Sequence, residues 1–156
     1  MLRSLAVFVL LLAGAPASMA APVEFQTSSL WIKSSDKTHK FTVELAVTRA
    51  QKARGLMFRK AMPADRGMLF DYGASSNITM WMKNTYLPLD MIFIDGNGRI
   101  SHIVERTIPL SESLISGEEP ARAVLELNGG TVSRLALKPG DQVLHRIFGN
   151  GPEAAK

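Results

Sequence analysis

The sequence contains no cysteine. Disulfide bonds, thiolate nucleophiles and cysteine-based zinc sites are therefore excluded, as is a lipid anchor attached to cysteine. The folded state must instead be stabilised by a hydrophobic core. Hydrophobic residues make up 46% of the chain, which is sufficient for a globular domain.

Common catalytic motifs are also missing. The chain has no Gly-x-Ser-x-Gly elbow, no Walker phosphate loop, no dinucleotide fingerprint and no His-Glu-x-x-His zinc motif. We therefore expect no cofactor, and these absences favour a binding or accessory protein over an enzyme.

Neither sign of charge dominates. The 156 residues include 18 Lys and Arg against 14 Asp and Glu, which gives a formal net charge of +4. The cations are spread along the chain rather than clustered, so no nucleic-acid partner is expected. In an exported protein this balance fits anionic lipid headgroups, anionic glycans or solubility alone.

The first 20 residues have the features of a Sec-type signal peptide. Arg3 supplies the positive charge, residues 5–12 form an unbroken apolar run, and small residues lead to Ala20 and Ala21. The run is too short to cross a bilayer as a stable helix. We expect cleavage near Ala20/Ala21, a periplasmic mature protein, one domain over residues 21–150 and a frayed tail over residues 151–156.

Short apolar segments separated by Gly and Pro turns make up the rest of the chain. Thr48 and Gln51 form a capping-box pattern that begins a short helix ending at Gly55. Strands are predicted at residues 23–33, 41–47, 68–70, 78–83, 91–94, 100–106, 123–127 and 142–147, with a helical turn at 131–135. This pattern indicates a mainly β (β-rich α+β) single domain, either a small barrel or a curled antiparallel sheet with one or two short helices.

Several local motifs resemble those of the DUF192 proteins, a family of unknown function. They are Phe-Thr-Val-Glu-Leu-Ala at residues 41–46, Arg-Gly-Leu-Met-Phe-Arg at 54–59, Gly-Met-Leu-Phe at 67–70, Trp-Met-Lys-Asn-Thr at 81–85, Leu-Asp at 89–90, Ile-Asp at 94–95, Glu-Leu at 126–127 and Lys-Pro-Gly-Asp at 138–141. The resemblance covers most of the mature chain. It implies a compact, mainly β domain that is often exported, and it implies no established activity.

The densest group of polar side chains lies at residues 81–90, next to a predicted buried strand. If residues 81–85 are extended, Trp81, Lys83 and Thr85 share one face, opposite Asn84 and the neighbouring methionines. An indole beside an ammonium is suited to a small anionic or carbohydrate group. The alternatives are a cation–π pair that contributes only stability, or a Trp81 that packs in the core.

Three charged residues adjoin apolar runs, where burial would require a partner. Arg59 and Asp90 are predicted to pair with each other, or with Lys83 and Glu126, as a ligand site or as a buried ion-pair network. Asp90 and Glu126 would alternatively be the carboxylate pair of a glycan hydrolase of the cell envelope.

Methionine offers a third hypothesis, a periplasmic Cu(I)-binding protein, because thioethers are soft ligands. The alternative is core packing, for which methionine is commonly used. Six of the eight methionines fall between residues 57 and 91: Met57, Met62, Met68, Met80, Met82 and Met91.

The leading hypothesis is therefore a non-enzymatic cell-envelope binding domain without a metal. Its partner would be an envelope glycan or a small anionic ligand. The predicted ligand-binding residues are Arg59, Trp81, Lys83, Asn84, Thr85, Asp90 and Glu126.

Overall fold

A computed structural model describes residues 22–35 and 37–151. The predicted signal peptide and residues 152–156 of the predicted tail lie outside the described residues. Among the described residues, no helix combines the length and apolar character needed to cross a membrane. The strands are β1 (Gln26–Ser34), β2 (Lys37–Ala46), β3 (Arg66–Ser76), β4 (Thr79–Met80), β5 (Leu89–Ile94), β6 (Ile100–Val104), β7 (Ile115–Ser116), β8 (Ala121–Asn128) and β9 (Gln142–Leu144); the helices are α1 (Arg49–Arg54), α2 (Thr131–Leu135) and a 3-10 turn at Arg146–Phe148.

Seven strands form one sheet in the order β6-β5-β8-β3-β2-β1-β9, and β4 pairs with β7 beside it. Neighbouring strands are antiparallel except β2 and β3, which run parallel because α1 and the loop after it carry the chain back. The two sheet edges meet at a seam formed by residues 98–100 and 140–143. There Val143 N donates to Gly98 O (2.7 Å) and Ile100 N donates to Asp141 O (3.0 Å).

Each face of the curled sheet carries its own hydrophobic cluster. The inner cluster has members from all seven strands, including Leu30, Leu69, Ile92 and Leu125, and therefore fills the inside of the curl. The outer cluster lies on the other face of β3, β5 and β8. It consists of Ala46, Leu56, Met68, Phe70, Ile78, Met80, Met82, Leu89, Met91, Phe93, Ala121 and Val124.

The predicted fold class is confirmed, as a curled, mainly β domain with two short α-helices. The capping box at the start of α1 is also confirmed, since Thr48 accepts from Gln51 N and the Gln51 side chain accepts from Thr48 N. Three strand predictions extended too far. Only Thr79–Met80 of residues 78–83 is strand, only Ile100–Val104 of residues 100–106, and only Gln142–Leu144 of residues 142–147. Within this sheet, β2 and β3 form one parallel pair among otherwise antiparallel neighbours.

Candidate functional site

The outer cluster is covered by three chain segments, residues 54–59, 80–89 and 107–116, which we call the covering layer. Backbone hydrogen bonds join the segments to each other: Phe58 N donates to Asn84 O (2.8 Å), Met82 N to Ser111 O (3.0 Å) and Leu110 N to Thr85 O (3.1 Å). The layer buries Leu56, Met80, Met82 and Leu89 against the sheet. The exposed side chains of the layer are therefore displayed by a backbone that neighbouring segments hold in place.

Trp81 and Lys83 lie together on the exposed side of the covering layer, as predicted. The Lys83 ammonium is 5.1 Å from the centroid of the Trp81 ring, and 43% of Trp81 is exposed. Lys83 Nζ is also 3.6 Å from a carboxylate oxygen of Glu112, on an exposed surface. An indole and a cation are thus accessible from the same direction.

Asn84 and Thr85 have different positions from those predicted, because residues 83–84 form a turn rather than a strand. Thr85 is buried, and its hydroxyl donates to Lys83 O (3.2 Å). Asn84 adopts a positive φ of 55°, which asparagine tolerates better than most residues. Its Nδ2 donates to Met57 Sδ (3.8 Å). Both residues shape the turn that holds Trp81 and Lys83.

The predicted pairing of Arg59 with Asp90 or with Glu126 was wrong. Arg59 forms a two-pronged ion pair with Glu44 of β2, with both N–O distances 2.6 Å. This hydrogen-bonded partner raises the pKa of Arg59 above its usual value. The pair lines a small cleft of about 180 Å³ beside Ala61 and Pro63. It fastens the loop after α1 to the sheet.

Replacing Arg59 by lysine is expected to lower the free energy of unfolding by about 1 kcal/mol, because lysine keeps the charge but loses the two parallel hydrogen bonds to Glu44. Urea denaturation measures the change. Lys60→Ala is the control, since Lys60 is an exposed neighbour with no ion pair among the described residues. An Arg59→Lys variant as stable as the parent would show that the paired geometry contributes nothing.

Asp90 is fully buried on the inner face of β5, and it is not accessible to a ligand. Its carboxylate accepts three backbone hydrogen bonds, from Arg106 N (2.8 Å), Gly130 N (3.0 Å) and Val132 N (2.8 Å). These bonds tie the end of β6 and the start of α2 to β5. Asp90 therefore has a structural role, because its carboxylate is fully used by backbone donors of this domain.

Glu126 is also buried, at 4% exposure, but on the outer face of β8. Its neighbours across the sheet are Met68 and Met91. Within residues 22–35 and 37–151 its carboxyl group has no hydrogen bond and no ion-pair partner. Burial in these apolar surroundings raises the pKa of Glu126 to about 8. The side chain is therefore mainly uncharged at neutral pH.

Asp90 and Glu126 do not form a carboxylate pair. Asp90 is opposite Leu127 in the β5–β8 ladder, and Glu126 is opposite Met91, so alternation along each strand directs the two carboxyl groups to opposite faces of the sheet. A glycosidase needs both groups around one sugar bond. The geometry therefore contradicts the paired-carboxylate mechanism.

Comparison with known proteins identifies the family to which this fold belongs. The model of the DUF192 family, described as an uncharacterized ACR, matches residues 30–145. The chain belongs to the DUF192 family.

Two crystal structures resemble this DUF192 protein closely. One, from Sinorhizobium meliloti 1021, carries a provisional label as a transcription regulator; it is 46% identical over 81% of this chain and 99% of its own, with a TM-score of 0.79. The other is a protein of unknown function from Novosphingobium aromaticivorans DSM 12444, 39% identical over 85% of this chain and 94% of its own, with a TM-score of 0.76. No curated protein matches the chain.

The methionines of this DUF192 domain lie mainly in the outer cluster, where their positions favour packing over Cu(I) binding. Several of their sulfur atoms accept side-chain hydrogen bonds: Met80 from Tyr72 (3.4 Å) and Met82 from Thr107 (3.1 Å). Among the residues that the structure describes, no group of three or more His, Asp or Glu side chains is placed to hold a metal ion.

The covering layer of this DUF192 domain also displays a set of exposed apolar side chains that was not predicted from the sequence. Phe58 and Tyr86 meet edge to face with ring centroids 6.1 Å apart, and the Arg54 guanidinium lies 4.8 Å from the Phe58 centroid. Three aliphatic side chains, Ile108, Leu110 and Leu114, are also largely exposed. The sequence did contain a signal for them, because these aliphatic residues interrupt the otherwise polar segment 108–120.

Proposed function

We propose that this protein is an exported, non-catalytic binding domain and that the exposed side of its covering layer binds an anionic group, such as that of an acidic carbohydrate. The observation that supports this most directly is the Lys83 ammonium held beside the exposed Trp81 ring. The indole offers a flat apolar surface to a sugar face, and the ammonium offers a counter-charge.

Glu112 indicates the chemistry that this site would accept. Its carboxylate lies 3.6 Å from Lys83 Nζ, where the anionic group of a ligand would bind. Because Glu112 is well exposed, it can move aside. An external carboxylate or phosphate would compete with Glu112 for the same ammonium. A ligand that stacks on Trp81 at the same time gains contact that Glu112 does not make.

Fluorescence titration of a Trp31→Phe variant with acidic oligosaccharides and with glycerol phosphate tests the proposal. The chain has two tryptophans, so Trp81 alone then gives the indole signal. We expect a saturable change in Trp81 fluorescence. In this background Lys83→Gln should weaken binding about fivefold and Glu112→Gln should strengthen it by a few-fold, since each change alters about 1 kcal/mol of charge interaction.

The chain contains a matched control for this experiment. Lys40 lies 5.6 Å from the centroid of Trp31, a second lysine–tryptophan pair on the β1–β2 hairpin. Lys40→Gln removes the same charge from the molecule, and we expect it to leave ligand affinity unchanged. Equal losses in Lys40→Gln and Lys83→Gln would show that only net charge matters, and this would overturn the site.

The predicted signal peptide supports export to the periplasm. Export would separate the mature domain from chromosomal DNA, which disfavours a transcriptional role for this protein. Of the other hypotheses, the envelope hydrolase is contradicted by the opposite orientations of Asp90 and Glu126. Cu(I) binding is disfavoured because the Met80 and Met82 sulfur atoms already accept hydrogen bonds within the packed outer cluster.

A further inference from the structure

We propose that the covering layer docks onto an anionic lipid bilayer, so that the anionic group bound at Trp81 and Lys83 is a lipid headgroup. This inference rests on the proposed function and names its ligand. It arises from three kinds of side chain: exposed aliphatic and exposed aromatic residues on the layer, and exposed cations on and beside its first segment.

The aliphatic residues are those least explained by the folded domain. Ile108 and Leu114 are each 73% exposed, although both lie on a segment that hydrogen bonds to the rest of the layer. Single exposed apolar residues are ordinary, but here Leu110 adds a third within seven residues. Side chains of this kind gain free energy when they enter the acyl boundary of a membrane.

The aromatic residues fit the same environment. Phe58, Trp81 and Tyr86 are each a little under half exposed, and all belong to the covering layer. Tryptophan and tyrosine favour the headgroup level of a bilayer because one end of each ring system is apolar and the other is polar. Exposed aromatic residues would also suit a protein partner. The distribution of charge is what distinguishes a bilayer from a protein.

The charges beside the first segment of the layer are basic, whereas Glu112, Glu118 and Glu119 lie on and just after its third segment, so we expect the first segment to face the anionic headgroups. Between Glu44 and Asp65 the chain has five cations and no acidic residue. Of these, Arg49, Arg54 and Lys60 are exposed, and Arg54 contacts the Phe58 ring. A polybasic segment next to inserted apolar side chains is the combination that binds peripheral proteins to anionic membranes, each cation adding about fivefold in affinity.

Co-sedimentation of the mature protein with vesicles tests this inference. We expect binding to vesicles of phosphatidylcholine with about a third phosphatidylglycerol, and much weaker binding to phosphatidylcholine alone. Ile108→Ser with Leu114→Ser should lower the partition coefficient about tenfold or more, because two aliphatic side chains leave the acyl boundary. Arg54→Gln with Lys60→Gln should lower it about twentyfold.

Matched variants separate the layer from net charge and from folding defects. Lys33→Gln with Lys37→Gln removes two exposed cations from the β1–β2 hairpin, and it should reduce vesicle binding far less than the Arg54 and Lys60 pair. Far-UV circular dichroism and urea midpoints identify any variant that is unfolded. The single changes Ile108→Ser and Arg54→Gln then replace a double variant that fails.

The remaining outcomes are decisive. A protein that binds acidic oligosaccharides through Lys83 but ignores both vesicle types retains the proposed function and loses the membrane inference. A concentration-dependent dimer that Leu114→Ser dissociates, without vesicle binding, would show that a second copy covers the layer. Absence of fluorescence change with every soluble probe, together with strong vesicle binding lost in the Ile108 and Leu114 variant, would retain docking and remove the Lys83 headgroup contact.

Discussion

Replacing Asp90 by alanine is expected to lower the free energy of unfolding by about 4 kcal/mol, an effect large enough to unfold a domain of ordinary stability. The reason is that its carboxylate accepts three hydrogen bonds, from the backbone N–H groups of Arg106, Gly130 and Val132. Without the carboxylate these donors stay buried and unpaired. Urea denaturation followed by circular dichroism measures the loss.

Asp90→Asn is expected to destabilise the domain almost as much, since its amide NH₂ would face one of the same N–H donors. Asp95 is the matched control. Its carboxylate also accepts two backbone hydrogen bonds, from Asn97 N and Arg99 N, but it does so at an exposed turn where water can replace it. Asp95→Ala should lower the unfolding free energy by about 1 kcal/mol or less. Similar losses at both positions would contradict a special role for burial.

The stability of the protein should decrease as pH rises from about 4.5 to about 8, because of Glu126. In the folded state burial raises the pKa of Glu126 from 4.5 to about 8. Between these values the unfolded chain has lost the proton and the folded chain retains it, so stability falls by roughly 1.4 kcal/mol per pH unit. The favourable contribution is complete below pH 4.5 and is lost by pH 8, a total of about 4 to 5 kcal/mol.

Glu126→Gln removes the titrating group, and it should flatten this part of the stability–pH profile. Glu126→Met should also increase the unfolding free energy at pH 8, since a thioether matches the neighbouring Met68 and Met91. Glu119→Gln, on an exposed loop, is the control and should leave the slope unchanged. A parent protein with constant stability from pH 5 to 8 would show that Glu126 is hydrated or paired.

Local pattern was enough to predict much of the fold. Alternation in β2, the unbroken apolar run of β5 and the Thr48–Gln51 capping box each depend on neighbours a few residues apart, and the structure confirms all three. Strand order depends instead on distant pairing. The parallel contact of β2 with β3 and the place of β8 between β5 and β3 leave no short-range signal in the sequence.

The candidate site shows the same division. The exposure of Trp81 and Lys83 agrees with the polar and apolar alternation of residues 80–83, although the strand itself ends at Met80 and Thr85 is buried. The partner of Arg59 had no such local signal. Glu44 is 15 residues away on a strand, and only the parallel return of the chain brings it within 2.6 Å. Asp90 and Glu126 looked alike in the sequence, since both are carboxylates within apolar runs. Their surroundings differ because one faces backbone donors and the other faces methionines.

The seam also has a consequence for synthesis of the chain. Strand β9 forms one side of the seam, and β8 lies between β5 and β3 in the sheet. Both strands come from the last third of the sequence. While the chain is being made from its N-terminus, the β1–β2 and β5–β6 hairpins can form, but nothing joins them. Both edges of the future sheet stay open to other chains and to proteases until about residue 143 has emerged. The sheet can therefore be completed only late in synthesis, when almost the whole domain has emerged.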